Sequence, residues 1–345
     1  MIPSYRPPPT VPDGNAEAAG EQGAYTGVVT SPGNSPRTLR SRIAGSLLGC
    51  ALGEAAAESP GGSAFADATQ LTLYTVDGFT EALEWANDGV AADETACLWL
   101  AYLRWLGTQD ETPPSSAPAP PARWIDRQEV LRCRRHPDAA SLRALRSGEM
   151  GSRQRPLEPD DDGPGALQRS APFGLVANVP AAMVEKLAID AAAITHGNPA
   201  AQLPAAVAAG LIHSIAVGSQ ALPDAVTSAA RHAETLKQAD LAERLRSLHA
   251  DSAPVAAGDA ASVLLEAVRL VLAAANDDGA ASIDALLTAA AKHTGPAAHA
   301  AGAVAGAIAG ALYGHESLPV AALERLEGVA VIEEMAERFA SAMGA

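Results

Sequence analysis

Aromatic side chains are scarce in this sequence, at 4% of residues, and clusters of β-branched residues are scarce with them. No stretch alternates apolar and polar residues, so a sheet is excluded as the main architecture. Cysteine is limited to Cys50, Cys97 and Cys133, too few and too scattered for a disulfide framework or a zinc site with paired ligands. A reducing cytoplasm is the compartment expected. Basic residues are also in deficit, 24 Lys and Arg against 40 Asp and Glu, and the net charge is -16. That charge repels phosphate backbones and anionic headgroups, which disfavours generic nucleic-acid or membrane binding. Met1 to Thr10 is Pro-rich and lacks the apolar core of an export signal. The most membrane-like stretch, Ala297 to Tyr313, is nearly all Ala and Gly, contains His299, and falls short of the ~20 apolar residues that a span needs. It reads as a buried helix.

What is abundant is alanine, set among leucine and valine, and this favours close-packed helices. Residues 1–35 combine Pro, Gly, Ser and Thr with few large apolar side chains, too little to offset ordering entropy, and read as a flexible tail. Ser35-Pro36 offers a helix cap, after which Ile43, Leu47, Leu48, Ala51 and Leu52 recur at helical spacing. A second amphipathic run, Thr69 to Leu106, is interrupted at Asn87-Asp88-Gly89 and predicts a helical hairpin. Residues 107–165 are irregular and Pro-rich. Helical periodicity returns at Ala181–Ala193, Pro204–Val217, Pro223–Leu236, Ala261–Ala275, Ile283–Lys292 and Ala301–Leu312, with a terminal helix near Ala321–Met343. One helical domain over residues 36–345 is the simplest organisation.

Five blocks in order carry a family likeness: Arg42 to Gly53 with its spaced glycines, Asp67-Ala68-Thr69-Gln70-Leu71-Thr72-Leu73, Gln168 to Leu175, Thr195-His196-Gly197-Asn198-Pro199, and Gly302 to Gly306 continuing to Tyr313-Gly314. Together they resemble the ADP-ribosylglycohydrolases, the family that includes the dinitrogenase-reductase-activating glycohydrolases. The resemblance implies an all-α, orthogonal multi-helix bundle. It also implies hydrolysis of a glycosidic bond between ADP-ribose and an acceptor, with two Mg²⁺ ions held between helices.

The ligand motifs depart from that pattern. The early hydroxyl-Asp-Asp motif reads Ala66-Asp67-Ala68, so one aspartate remains. Aligning the late motif on Gly302 and Gly306 places Ala297 and His299 at its two aspartates and Ala301 at its threonine, to within about one position. No register restores a carboxylate, because Lys292 to Tyr313 contains neither Asp nor Glu. Glu54 and Glu58 near the end of the first helix remain as candidate bases beside Asp67. No cofactor is expected beyond at most one weakly bound Mg²⁺ on Asp67 and a glutamate.

The resemblance also implies a nucleotide subsite. Gly163, Gly165 and Arg169 lie in a segment like the family's ribose- and diphosphate-side loop, where glycine admits close backbone approach. His196 and Gly197 match its adenosine-side loop. An ordinary Gly/Pro turn and a helix terminator explain the same residues, and the sequence leaves both readings open. The four-residue spacing of Gly302, Gly306, Gly310 and Gly314 marks a helix face made for close packing. Between Arg123 and Arg155 stand nine arginines against four acidic residues, either a partner surface or a solvated face neutralised by Glu158 to Asp162. Three functions follow. They are a pseudoenzyme that binds ADP-ribose, a related nucleotide or a modified macromolecule; a hydrolase with altered or metal-independent chemistry, His299 supplying an acid; and an interaction protein with a closed cleft, whose tail or Arg123–Arg155 segment engages a partner.

Overall fold

The computed structural model describes residues 38–59, 61–255, 257–293 and 297–345, and among them there are helices and connecting segments but no strand. The chain order is α1 (Leu39–Glu58), α2 (Asp67–Asn87), α3 (Glu94–Thr108), α4 (Ala139–Arg146), α5 (Ala171–Gly174), α6 (Ala181–Ala193) and α7 (Pro199–Ala216). It continues through α8 (Leu222–Thr235), α9 (Ala239–Ser247), α10 (Ala260–Ala274), α11 (Gly279–Ala290), α12 (Ala298–Tyr313), α13 (Val320–Leu323) and α14 (Val329–Ala342). The all-α expectation is met.

The centre is an antiparallel pair, α1 against α12. Gly45, Gly49 and Gly53 on α1 face Gly310, Gly306 and Gly302 on α12, and a Cβ on any of the six would overlap a carbonyl oxygen of the other helix. The two backbones therefore meet directly, closer than the usual 8–10 Å between helix axes allows. The other faces of α1 bury Ile43, Leu47, Leu48 and Leu52, so this helix is surrounded by protein. The neighbours of the pair are α2 and α14 on the α1 side and α10 and α11 on the α12 side, while α7 reaches both helices. A contiguous apolar cluster runs through these elements, with Phe79 packed between Phe173 of α5 and Phe339 of α14.

Several helix limits differ from those read in the sequence, each for a local reason. The Ser35-Pro36 cap lies outside the described residues, and α1 is capped instead by Thr38, whose hydroxyl accepts the Ser41 N–H at 3.2 Å. The α7 helix starts at Pro199 rather than Pro204, because Asn198 caps it through the Ala200 N–H and proline suits the first turn. The terminal helix is two helices, broken at Gly328, where φ is 68°. The short α9 carries only Leu241, Ala242 and Leu245 inward, too brief a period to read from the sequence. Among the described residues α7, rather than Ala297–Tyr313, is the helix long and apolar enough to cross a membrane, and 67% of its apolar window is buried within the fold.

The arginines of the irregular segment knit it together and, through Arg135, tie it to the bundle. Arg134 and Arg146 both pair with Glu111, and Arg135 pairs with Glu327 while stacking on Phe65. Arg143 reaches Glu158 and Asp161. Glu327 also accepts the Phe65 N–H at 3.1 Å, tying the start of α2 to the loop before α14.

Substitution of Gly306 by Ala is expected to destabilise the protein by about 3 kcal/mol, since backbone must move to admit the methyl group. Gly107→Ala near the end of α3, where a Cβ meets nothing, is expected to gain about 0.5–1 kcal/mol. Urea unfolding of both variants checks this, and equal stability of Gly306→Ala and the parent would contradict the close contact.

Candidate functional site

Ala66 occupies the cap position of α2 and has no side chain to accept the first amide groups of that helix. Glu54, buried at the end of α1, does so instead. Its Oε1 accepts the Ala68 N–H at 2.9 Å, and its Oε2 accepts the Thr69 N–H at 3.0 Å and the Thr69 hydroxyl at 2.6 Å. The carboxylate thus sits at the positive end of the helix dipole. Burial pushes the Glu54 pKa upward, opposed by the Thr69 hydroxyl, the α2 amides and the charge of His299.

Asp67 is the first residue of α2 and is buried. Its Oδ2 accepts the Asp138 N–H and a Gln168 amide N–H, each at 2.9 Å, while Oδ1 has no hydrogen-bond partner. Burial, then the nearby charges of Glu54 and Asp138, drive its pKa well above the usual carboxylate range. The protonated form of Asp67 is thereby favoured relative to an exposed carboxyl.

Asp138 was not singled out from the sequence. It caps α4, accepting the Ser141 N–H at 2.7 Å, and its Oδ2 lies 3.4 Å from His196 Nε2. Burial alone would raise its pKa, but His196 and the Ser141 amide hold it below the ordinary value. His196 is fully buried, and desolvation lowers its pKa, so the ring is neutral at pH 7. Its Nδ1 lies 2.8 Å from the Thr195 hydroxyl, which accepts from Arg169 Nη2 at 2.7 Å. With Thr195 donating to Nδ1, the Nε2–H faces Asp138 at 3.4 Å without a hydrogen bond to it, and among the described residues Nε2 is unpartnered.

Arg169 organises the loop around these groups. It is buried, stacks over Tyr102 at 4.7 Å, and donates to the Gly165 carbonyl at 3.0 Å, Ser141 Oγ at 3.3 Å and Tyr102 Oη at 3.2 Å. Gly165 must be glycine here, since a Cβ would stand 2.5 Å from the Asp138 carboxylate and 2.8 Å from His196 Nε2. Gly197 donates to the Leu157 carbonyl at 2.5 Å, where a Cβ would crowd Pro156. Gly163 bonds only locally, to Asp161 Oδ1 at 3.0 Å.

The structure thus joins two groups of sequence-derived residues through Asp138 and Gln168. Glu54, Asp67 and His299 gather where α1, α2 and α12 meet, and Gly165, Arg169 and His196 form the adjoining loop. Glu58 stands exposed at the last turn of α1. Cys50, next to Glu54, is no nucleophile: burial and then the Glu54 charge push its thiol up to about 12.

The residues present do not fit a pair of Mg²⁺ ions. Ala66, Ala68, Ala297 and Ala301 are buried methyl groups without oxygen donors, and His299 is half-buried on the first turn of α12. Glu54 is committed to α2, and Asp67 Oδ2 already accepts two hydrogen bonds. Among the described residues no three His, Cys, Asp or Glu side chains are placed to hold a metal ion. Mg²⁺ requires anionic oxygens in near-octahedral array, and this set supplies too few.

A family model described as ADP-ribosylglycohydrolase matches residues 35–345. A solved structure titled "ADP-ribosylglycohydrolase-related protein complex" superposes with a TM-score of 0.62 at 21% identity, covering 88% of this chain and 99% of that one. At that identity the likeness establishes the fold. No curated protein matches the sequence.

A carboxyl with a raised folded pKa stabilises the fold at low pH, and that contribution is lost as pH rises through the raised value. Asp67→Asn removes the loss and retains an acceptor for Asp138 and Gln168. The melting temperature of this variant relative to the parent is expected to climb from about pH 4 to about pH 8. A difference that falls over this range would contradict a raised Asp67 pKa.

Proposed function

The chain belongs to the ADP-ribosylglycohydrolase family, and from that premise we propose that it is a non-hydrolytic member that recognises ADP-ribose or a related nucleotide, free or on a modified macromolecule, without a metal pair. The observation that carries this reading is the fate of the carboxylates. Glu54 caps α2, Asp67 is buried with Oδ2 accepting two hydrogen bonds, and alanines with His299 stand at the positions that match the remaining ligands. The retained loop supports recognition. Gly163 is partly exposed in this loop, Gly165 lets the chain pack on Asp138 and His196, and Arg169 and His196 act from inside, setting the loop's shape and its local charge. The three thiols are free, which suits the reducing cytoplasm proposed as its compartment.

A second reading, hydrolysis without the metal pair, draws on one feature. Asp67 Oδ1 is an unpartnered acid within the former ligand shell, fit to give a proton to a leaving group. A closed-cleft interaction protein is the third, favoured by the internal bonding of Arg169 and His196.

Calorimetry with ADP-ribose separates them. Saturable binding, unchanged by EDTA or added Mg²⁺ and without release of ADP-ribose from ADP-ribosyl-arginine, is expected. Metal-dependent release would refute the proposal, release abolished by Asp67→Asn would favour the second reading, and no nucleotide binding would favour the third. Gly165→Ala is expected to weaken ADP-ribose binding by roughly tenfold or more and to cost about 1–3 kcal/mol of stability, because it drives Asp138 and His196 apart.

A further inference from the structure

A second polar constellation lies further along α2. Tyr74, Asp77, Glu81 and Glu84 recur at spacings of three and four and share one face of that helix. Arg104 of α3 lies against this face, paired with Asp77, and its Nε stands 3.3 Å from Asp126 Oδ2. Arg123 donates to Asp77 at 3.0 Å and to Glu84 at 3.0 Å, and its backbone N–H fixes Asp126 at 2.7 Å. Between α2, α3 and the irregular segment this leaves a cavity of about 450 Å³, with Tyr74, Arg104 and Asp126 in its wall and Pro120 and Ala122 along its edge. Tyr74 is seven residues beyond Asp67, about 10 Å along the helix, so the cavity is separate from the loop cluster.

Among the described residues four polar atoms of that wall lack a well-formed hydrogen bond, Tyr74 Oη, Arg104 Nε, Arg104 Nη1 and Asp126 Oδ1, with Tyr74 within reach of the Asp126 carboxylate. Tyr74 is completely buried and Arg104 is 9% exposed, so these are built-in groups rather than surface ends. A buried polar atom left unpaired costs about 1–3 kcal/mol, a cost that a ligand or water entering the cavity removes.

The charged groups of the cavity wall are Arg104 and Arg132 against Asp110 and Asp126, so they balance and net charge draws in neither an anion nor a cation. A cation would suit Asp126 Oδ1 but would meet the N–H of Arg104 Nη1. A hydroxyl both donates and accepts, so adjacent hydroxyls can take the Arg104 N–H, give a proton to Asp126 and pair with Tyr74 in either sense. Pro120 and Ala122 give the C–H face of such a molecule an apolar edge. We propose that the cavity walled by Tyr74, Arg104 and Asp126 is a binding site for a neutral polyhydroxylated molecule of the sugar class.

Titration of the full chain with D-glucose, D-ribose, inorganic phosphate and agmatine, followed by NMR, tests this. Saturable shifts are expected with a sugar, in the signals of α2, α3 and the Pro120 to Asp126 segment, and none there with phosphate or agmatine. Tyr74→Phe, which removes one hydroxyl, is expected to weaken sugar binding by roughly tenfold. Ala122→Trp, placed at the exposed edge so that the core is untouched, is expected to weaken it at least as much. No saturable sugar binding, preferential binding of phosphate or agmatine at this cavity, or sugar binding unaltered in both variants would overturn the proposal.

Discussion

Direct backbone contact between α1 and α12 is the constraint on which the rest of the structure depends. Because Gly53 packs on Gly302, the next residue along α1, Glu54, and the preceding one on α12, Ala301, are brought to the same level of the bundle. The first turn of α12, with Ala298 and His299, and the start of α2, which Glu54 caps, meet there as well. A side chain at any of the central glycines would separate the helices and spread this junction. The scaffold can therefore persist under packing constraints alone, whatever the residues at the junction do.

The residues at the junction satisfy one another. With alanine at the α2 cap position, the helix needs an acceptor from elsewhere, and Glu54 supplies it. With alanines on either side of it, a charged Asp67 would be buried against Glu54 and Asp138, which shifts its pKa upward. Asp138 keeps its charge because the Ser141 amide and the His196 ring face it. Two carboxyls whose Oδ2 and backbone N–H are joined by one hydrogen bond are thus shifted in opposite directions by their surroundings.

Much of this was legible in the sequence where the physics is periodic. The glycine spacing of α1 and α12 marks the central contact, and the absence of Asp and Glu from Lys292 to Tyr313 removes the late ligands in any register. The Asn87-Asp88-Gly89 turn divides α2 from α3 as expected. Asp138 was not legible, because it lies 71 residues from the carboxyl it faces and in a segment with no period to place it. Its one signal was local, an Asp three residues before a serine at a helix start. The arginines of residues 123–155 were readable as a cluster but not as clamps, since Glu111 and Glu327, which they grip, lie outside that segment. Arg169 and His196 could be singled out in the sequence, while the partners that bury Arg169, Tyr102, Ser141 and Thr195, come from other parts of the chain.

The most direct test of the central claim, an intact scaffold whose junction no longer holds a metal pair, is titration with Mn²⁺ as a paramagnetic stand-in for Mg²⁺, followed by electron paramagnetic resonance. The account expects no spin-coupled pair of ions at any Mn²⁺ concentration, with or without ADP-ribose. Stoichiometric binding of two ions with a coupled spectrum would contradict it.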